Sequence, residues 1–166
     1  TNFIHAIPYI SISVGAQKKN DKGEWENIAG IVYDPIHDEM FTAEAKNGAF
    51  LNNVRIRAST RREDLLLSTT APRKTRAGFE KSLAAFTRVV SEGATVRCSG
   101  SAALDLAYVA AGRLDGIWYQ RLNCWDMVAG ALLVKEANGM ITALDGTPVI
   151  TDDKGSVLAT NGLIHR

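Results

Sequence analysis

Gly100-Ser101-Ala102-Ala103-Leu104-Asp105-Leu106-Ala107-Tyr108-Val109-Ala110-Ala111-Gly112, followed by Cys124-Trp125-Asp126-Met127-Val128-Ala129-Gly130, is the part of the chain that decides its fold class. The first run predicts an alanine-rich helix over residues 101–111, since alanine loses the least freedom in a helix and Gly112 suits the left-handed turn that ends one. The second opens another helix, expected over 126–137. Residues 94–98 and 115–119 read as short strands ahead of each helix. Strand and helix alternating at this spacing is the α/β pattern.

The same alternation continues outward. Toward the C-terminus, residues 140–143 and 155–160 read as strands. Toward the N-terminus, Leu65-Leu66-Leu67-Ser68-Thr69 is a compact apolar strand. Phe79, Leu83, Phe86, Val89 and Val90 recur at helical spacing and predict a helix over about 77–91. Before residue 65 the period changes to two. Residues 9–16, 25–33 and 39–43 read as strands, and Gly48-Ala49-Phe50-Leu51-Asn52-Asn53 enters a turn from which Val54-Arg55-Ile56 returns. Pro8 and Asp34-Pro35 punctuate this antiparallel meander. Residues 1–166 read as one domain fragment, with a meander part at 1–64 and an alternating part at 65–166, sharing one layered body.

Composition narrows the function classes. Nineteen basic and 18 acidic residues leave a net charge of +1, which gives no general attraction to nucleic acid or to an anionic membrane. No apolar run is long enough to span a bilayer. Cys98 and Cys124 form no metal-ligand spacing, and reduced thiols are expected. The expectation is a soluble, cytoplasmic protein.

Two places carry candidate chemistry. At Cys98-Ser99-Gly100-Ser101-Ala102-Ala103 a strand end meets a helix start through a glycine turn, and the free N–H groups of such a terminus form an anion site. Ser101 is also a favoured N-cap residue, so a capped helix with no ligand explains the same residues. Asp126 at the start of the next helix likewise has two readings: a cap, or a ligand for a hard cation such as Mg²⁺. Helices entered from successive strands present their N-termini on one sheet edge, where α/β folds bind ligands. Elsewhere the signals are weaker. His5, His37 and His165 are scattered, Ser68 lacks the G-x-S-x-G context of a nucleophile, and there is no P-loop or dinucleotide fingerprint. Arg61, Arg62, Lys74 and Arg76 read as a solvated basic loop rather than a binding patch.

Taken in order, the run from Gly100 to Gly116, then Trp125-Asp126 with Ala129-Gly130 and Glu136-Ala137, resembles the inositol monophosphatase family. Thr1-Asn2-Phe3 resembles the tail of that family's first signature, Asp-Pro-(Leu/Ile)-Asp-Gly-Thr-x-Asn-Phe. Ile31-Val32-Tyr33-Asp34-Pro35, Glu39-Met40-Phe41-Thr42-Ala43 and Gly48-Ala49-Phe50-Leu51-Asn52 resemble its meander, so the likeness spans essentially all 166 residues.

The resemblance implies an α/β/α/β/α sandwich of the sugar-phosphatase kind, of which this chain supplies the antiparallel meander and the C-terminal alternating strand/helix part, and Mg²⁺-dependent hydrolysis of a small-molecule phosphate ester, such as inositol 1-phosphate. It also implies Li⁺ inhibition and a homodimer. It assigns Asp126 to the metal and Gly100, Ser101 and Ala102 to the substrate. Clustered Mg²⁺ ions would acidify a water and stabilise the departing alkoxide, with no covalent nucleophile on the protein. The family's other metal ligands and its water-activating threonine precede the position of Thr1, so the resemblance implies no activity for these residues alone. Where many inositol-using members place a glutamate for sugar hydroxyls, this sequence has Tyr119, which keeps a hydrogen bond but no charge. Fructose bisphosphate or a dinucleotide phosphate therefore stays open as substrate, with Tyr119 and Arg73-Lys74 as the places to look. A non-catalytic interaction protein of the same fold, with a partner such as the transcription machinery, is the alternative.

Overall fold

The computed structural model describes residues 1–74, 77–149 and 153–165. Five strands, β1 (Ile12–Lys19), β2 (Trp25–Asp34), β3 (Glu39–Glu44), β4 (Gly48–Leu51) and β5 (Val54–Arg55), form an antiparallel meander in chain order. Each is joined to the next by a short turn, so neighbours in sequence become neighbours in the sheet. Tyr9 falls outside the strand expected for it. Its N–H donates to the Ile7 carbonyl at 2.8 Å and its carbonyl accepts from Asn2 Nδ2 at 2.7 Å, so its backbone is engaged before pairing with β2 begins.

The second part supplies β6 (Leu66–Thr69), α1 (Phe79–Ser91), β7 (Thr95–Arg97), α2 (Ala102–Ala110), β8 (Gly116–Leu122), α3 (Cys124–Glu136), β9 (Met140–Thr142) and β10 (Gly155–Thr160). These strands make a second sheet in the order β7-β6-β8-β10-β9, with β6 parallel to both β7 and β8, and β10 antiparallel to β8 and β9. The expected α/β architecture is the one observed.

Helices α2 and α3 lie between the sheets. α3 packs on β1, β2, β3 and β4 on one side and on β9 and β10 on the other, while α2 meets β2, β8 and β10. That placement explains why Met127 through Val134 are all buried: a helix covered on both faces has no polar stripe. Close approach needs glycine at two contacts. A Cβ on Gly30 would lie 2.8 Å from the Ala129 Cα, and one on Gly130 would lie 2.5 Å from the Leu106 Cβ. Phe41, Leu104, Leu106, Ile117, Met127 and Leu133 fill the space between the sheets. Each such side chain contributes about 1.5–3 kcal/mol by leaving water.

Trp118 faces the opposite way from its strand neighbours Ile117 and Tyr119 and meets the Phe86 ring of α1 at 6.4 Å between centroids. The layers are therefore α1, second sheet, α2 with α3, and meander.

Two boundaries differ from expectation in a way that bears on the site. The helix expected to begin at Asp126 begins at Cys124, with extended Asn123 as its N-cap, so Asp126 is its third residue. The strand expected to stop at Tyr119 continues to Leu122, because pairing with β10 extends as far as Gly155↔Leu122.

Candidate functional site

β6, β7 and β8 run parallel, and α1, α2 and α3 follow them in chain order. The N-termini of α2 and α3 consequently rise from one edge of the second sheet. The start of β1 joins them. Ser11 Oγ lies 3.1 Å from Ser101 Oγ at the α2 terminus, and two residues on Ser13 Oγ donates to the Trp125 carbonyl in the first turn of α3 at 3.3 Å. Alternate residues of an extended segment share a face, so one short run of serines touches both helix starts.

At the α2 terminus Gly100 has φ +91, a left-handed conformation that an L side chain resists. A Cβ there would also stand 2.8 Å from Asn2 Oδ1. Asn2 holds the turn from outside, its Nδ2 donating to the Ser99 carbonyl at 2.9 Å and to the Tyr9 carbonyl at 2.7 Å. Ser101 takes the N-cap position with extended backbone, yet its side chain makes no cap hydrogen bond and turns to Ser11. The N–H groups of the first turn are thus left to an incoming acceptor. Thr1, Asn2, Phe3, Ser11, Gly100 and Ser101 border a cavity of about 490 Å³ at this place.

Asp126 is half-buried in the first turn of α3. Its Oδ2 accepts the Asn123 backbone N–H at 3.2 Å and lies 3.4 Å from Asn123 Nδ2. Oδ1 takes no hydrogen bond from any described residue. A carboxylate with one oxygen engaged and one open suits a hard cation. It is one donor, however, and no group of three or more His, Cys, Asp or Glu side chains able to hold a metal occurs among the described residues. This chain's described residues therefore offer a single ligand and do not by themselves make a metal site.

Tyr119 is placed differently from Gly100, Ser101 and Ala102. It is buried, and its hydroxyl donates to Asp105 Oδ2 at 2.6 Å. Asp105 also accepts from Tyr9 at 2.6 Å, Ser68 at 2.7 Å and Ser99 at 2.7 Å to either oxygen. Burial, and next the negative charge of Asp105, push both tyrosine hydroxyls well above their ordinary range, so they remain protonated donors. Sequence reading passed over Asp105. The signal was an acid between Leu104 and Leu106 on a helix with no other charge, a residue type that is buried only when its oxygens are satisfied.

The remaining candidates are structural or peripheral. Arg61 pairs with buried Asp115 at 2.8 Å and donates to the Gly112 carbonyl, while Arg62 and Lys74 are exposed. Arg76, expected in the same basic loop, lies outside the described residues. His37 meets Asp34 at 2.8 Å, and His165 sits between the hydroxyls of Thr142 and Thr160. Cys98 and Cys124 are both free. Among the described residues no helix is long and apolar enough to cross a membrane.

The chain is similar to known proteins over its whole length. It is 40% identical to an inositol-1-monophosphatase of Mesorhizobium japonicum over 168 aligned residues, covering 100% of this chain and 61% of that protein. It is 41% identical to the Nus factor SuhB of Pseudomonas aeruginosa, covering 97% and 59%. The crystal structure of the extragenic suppressor protein suhB from Bartonella henselae superposes with a TM-score of 0.84 at 40% identity, over 98% of this chain and 61% of that one. The chain thus spans about three fifths of the length of these relatives. The model of the inositol monophosphatase family matches residues 1–166, and with the layered fold and the paired helix termini this places the chain in the inositol monophosphatase family.

Proposed function

We propose that the protein carrying this chain is a Mg²⁺-dependent phosphatase that hydrolyses the phosphate monoester of a small polyol or sugar. One observation carries the reading: the Gly100 turn and Asp126 stand at neighbouring helix N-termini bridged by Ser11 and Ser13. The first-turn N–H groups of α2 receive phosphate oxygens, helped by the positive end of the helix dipole. Gly100, without a side chain, lets the ester approach the backbone, and the Ser101 hydroxyl is held aside by Ser11. Asp126 contributes one carboxylate to Mg²⁺, and the metal, when bound with its other ligands, supplies water activation and charge neutralisation.

The test is phosphate release from inositol 1-phosphate and related esters by the full-length protein, with and without Mg²⁺ and Li⁺, beside its Asp126→Asn variant. Asparagine retains an oxygen acceptor for the Asn123 N–H and so preserves the helix start, whereas its neutral amide is a poor Mg²⁺ ligand. Activity is expected to fall by at least about 100-fold at an unchanged thermal midpoint, in line with a carboxylate's weight in a hard-cation site. Full activity in the variant would remove Asp126 from the metal. The panel includes fructose bisphosphate, because Arg73 and Arg121 border a cavity of about 370 Å³ with Thr69, Phe86 and Trp118 and would receive a second anionic group.

A second reading, a non-catalytic interaction protein, is favoured by the equal likeness to a relative named Nus factor SuhB. Full-length protein that releases no phosphate from any ester in the panel would support it.

A further inference from the structure

We infer that Asp105 and Tyr119 are positioning residues for the phosphate cradle, and that the Tyr119 hydroxyl does not contact substrate. The inference rests on the phosphatase reading above for its functional meaning, but its structural part stands alone.

Four hydroxyls from four segments converge on one buried carboxylate. Tyr9 comes from the N-terminal segment, Ser68 from β6, Ser99 from the turn before α2, and Tyr119 from β8. No Arg, Lys or His of the described residues forms an ion pair with it. An anion with no counter-ion in the interior is stabilised only by aimed donors, and each lost donor leaves an oxygen under-satisfied. Ser99 is the informative partner. Its Oγ lies 2.7 Å from both carboxylate oxygens, so one hydroxyl serves the pair, and its carbonyl is held by Asn2. Asp105 therefore reaches back from the first turn of α2 to the residue before Gly100 and closes the turn on itself. Tyr119 has one hydroxyl proton, already given to Asp105, and a buried ring. It acts on the cradle by fixing the carboxylate that fixes Ser99.

The test is a double-mutant cycle in the full-length protein with Tyr119→Phe, Asp105→Asn and the double variant. A cradle that holds phosphate alike in ground and transition states appears in KM. Each single change is expected to raise KM roughly tenfold with kcat altered less than about threefold. The double variant is expected to be no worse than the poorer single, because both break the same link. Amide hydrogen exchange across residues 99–102 is expected to quicken in Tyr119→Phe, faster than the global opening rate explains. If Asp105→Asn does not fold, Ser99→Ala closes the same cycle.

Multiplying KM effects, or unchanged exchange at 99–102, would overturn the inference, the former by showing that Tyr119 meets substrate independently. Should the unsubstituted protein hydrolyse no phosphate ester, the phosphatase reading falls and the exchange measurement alone decides this one.

Discussion

Asp126 receives the Asn123 N–H on Oδ2 and leaves Oδ1 open, so the cap occupies one oxygen and leaves the other for the proposed metal. Its two sequence readings are compatible for that reason, and Asp126→Asn separates them by keeping the first. Gly130 is constrained by space. Gly130→Ala would drive a methyl into Leu106, and overpacking of this kind is expected to cost about 1–3 kcal/mol, read as a lowered denaturant midpoint with unchanged slope. His165 offers a pH-dependent contact. Burial lowers its pKa beneath the ordinary 6.5, so the unfolded chain binds the proton more readily than the folded one. Its contribution is fully present above pH 6.5 and is lost progressively as pH falls from there through the lower folded value. The thermal midpoint is expected to drop over this range in the parent and to drop less in His165→Gln.

At the scale of elements, spacing found each helix and strand while partners set their ends. β8 outruns its expected end because β10 is there to pair with it. α1 shows the converse. Phe79, Leu83, Phe86, Val89 and Val90 form one stripe by spacing, yet only Phe79, Phe86 and Val89 are partly covered, whereas Leu83 is 40% and Val90 47% exposed. Phe86 holds the helix to Trp118. Phe86→Ala is therefore expected to cost about 1–2 kcal/mol and Leu83→Ala less than about 0.5 kcal/mol, a contrast that urea unfolding resolves and that the sequence pattern does not contain.

For the whole molecule, the meander turns one face to α3, and no helix or strand among the described residues packs on the other. Cross-strand pairing sets Ile12 beside Tyr33 and Met40, and Val14 beside Ile31, on that outer face, with Ile12, Val14, Ile31 and Met40 all exposed. Contiguous apolar surface of this kind is unusual on a soluble monomer. The isolated 166-residue chain is expected to enhance the fluorescence of a hydrophobic dye, and Ile31→Lys to reduce that signal without lowering the unfolding midpoint. No reduction would show that the dye binds elsewhere.

Local chemistry determined much of this protein from its sequence: the period change near residue 65, the glycine that opens α2, and the ordered motifs that mark the family. These rest on preferences of neighbouring residues and are readable along the chain. The bridging of two helix starts by Ser11 and Ser13, the hold of Asn2 on the Gly100 turn, and the gathering of four hydroxyls on Asp105 join residues up to 112 positions apart. Only tertiary structure decided those, because a buried carboxylate takes whatever donors the packed layers bring to it, and no spacing rule in the chain names them.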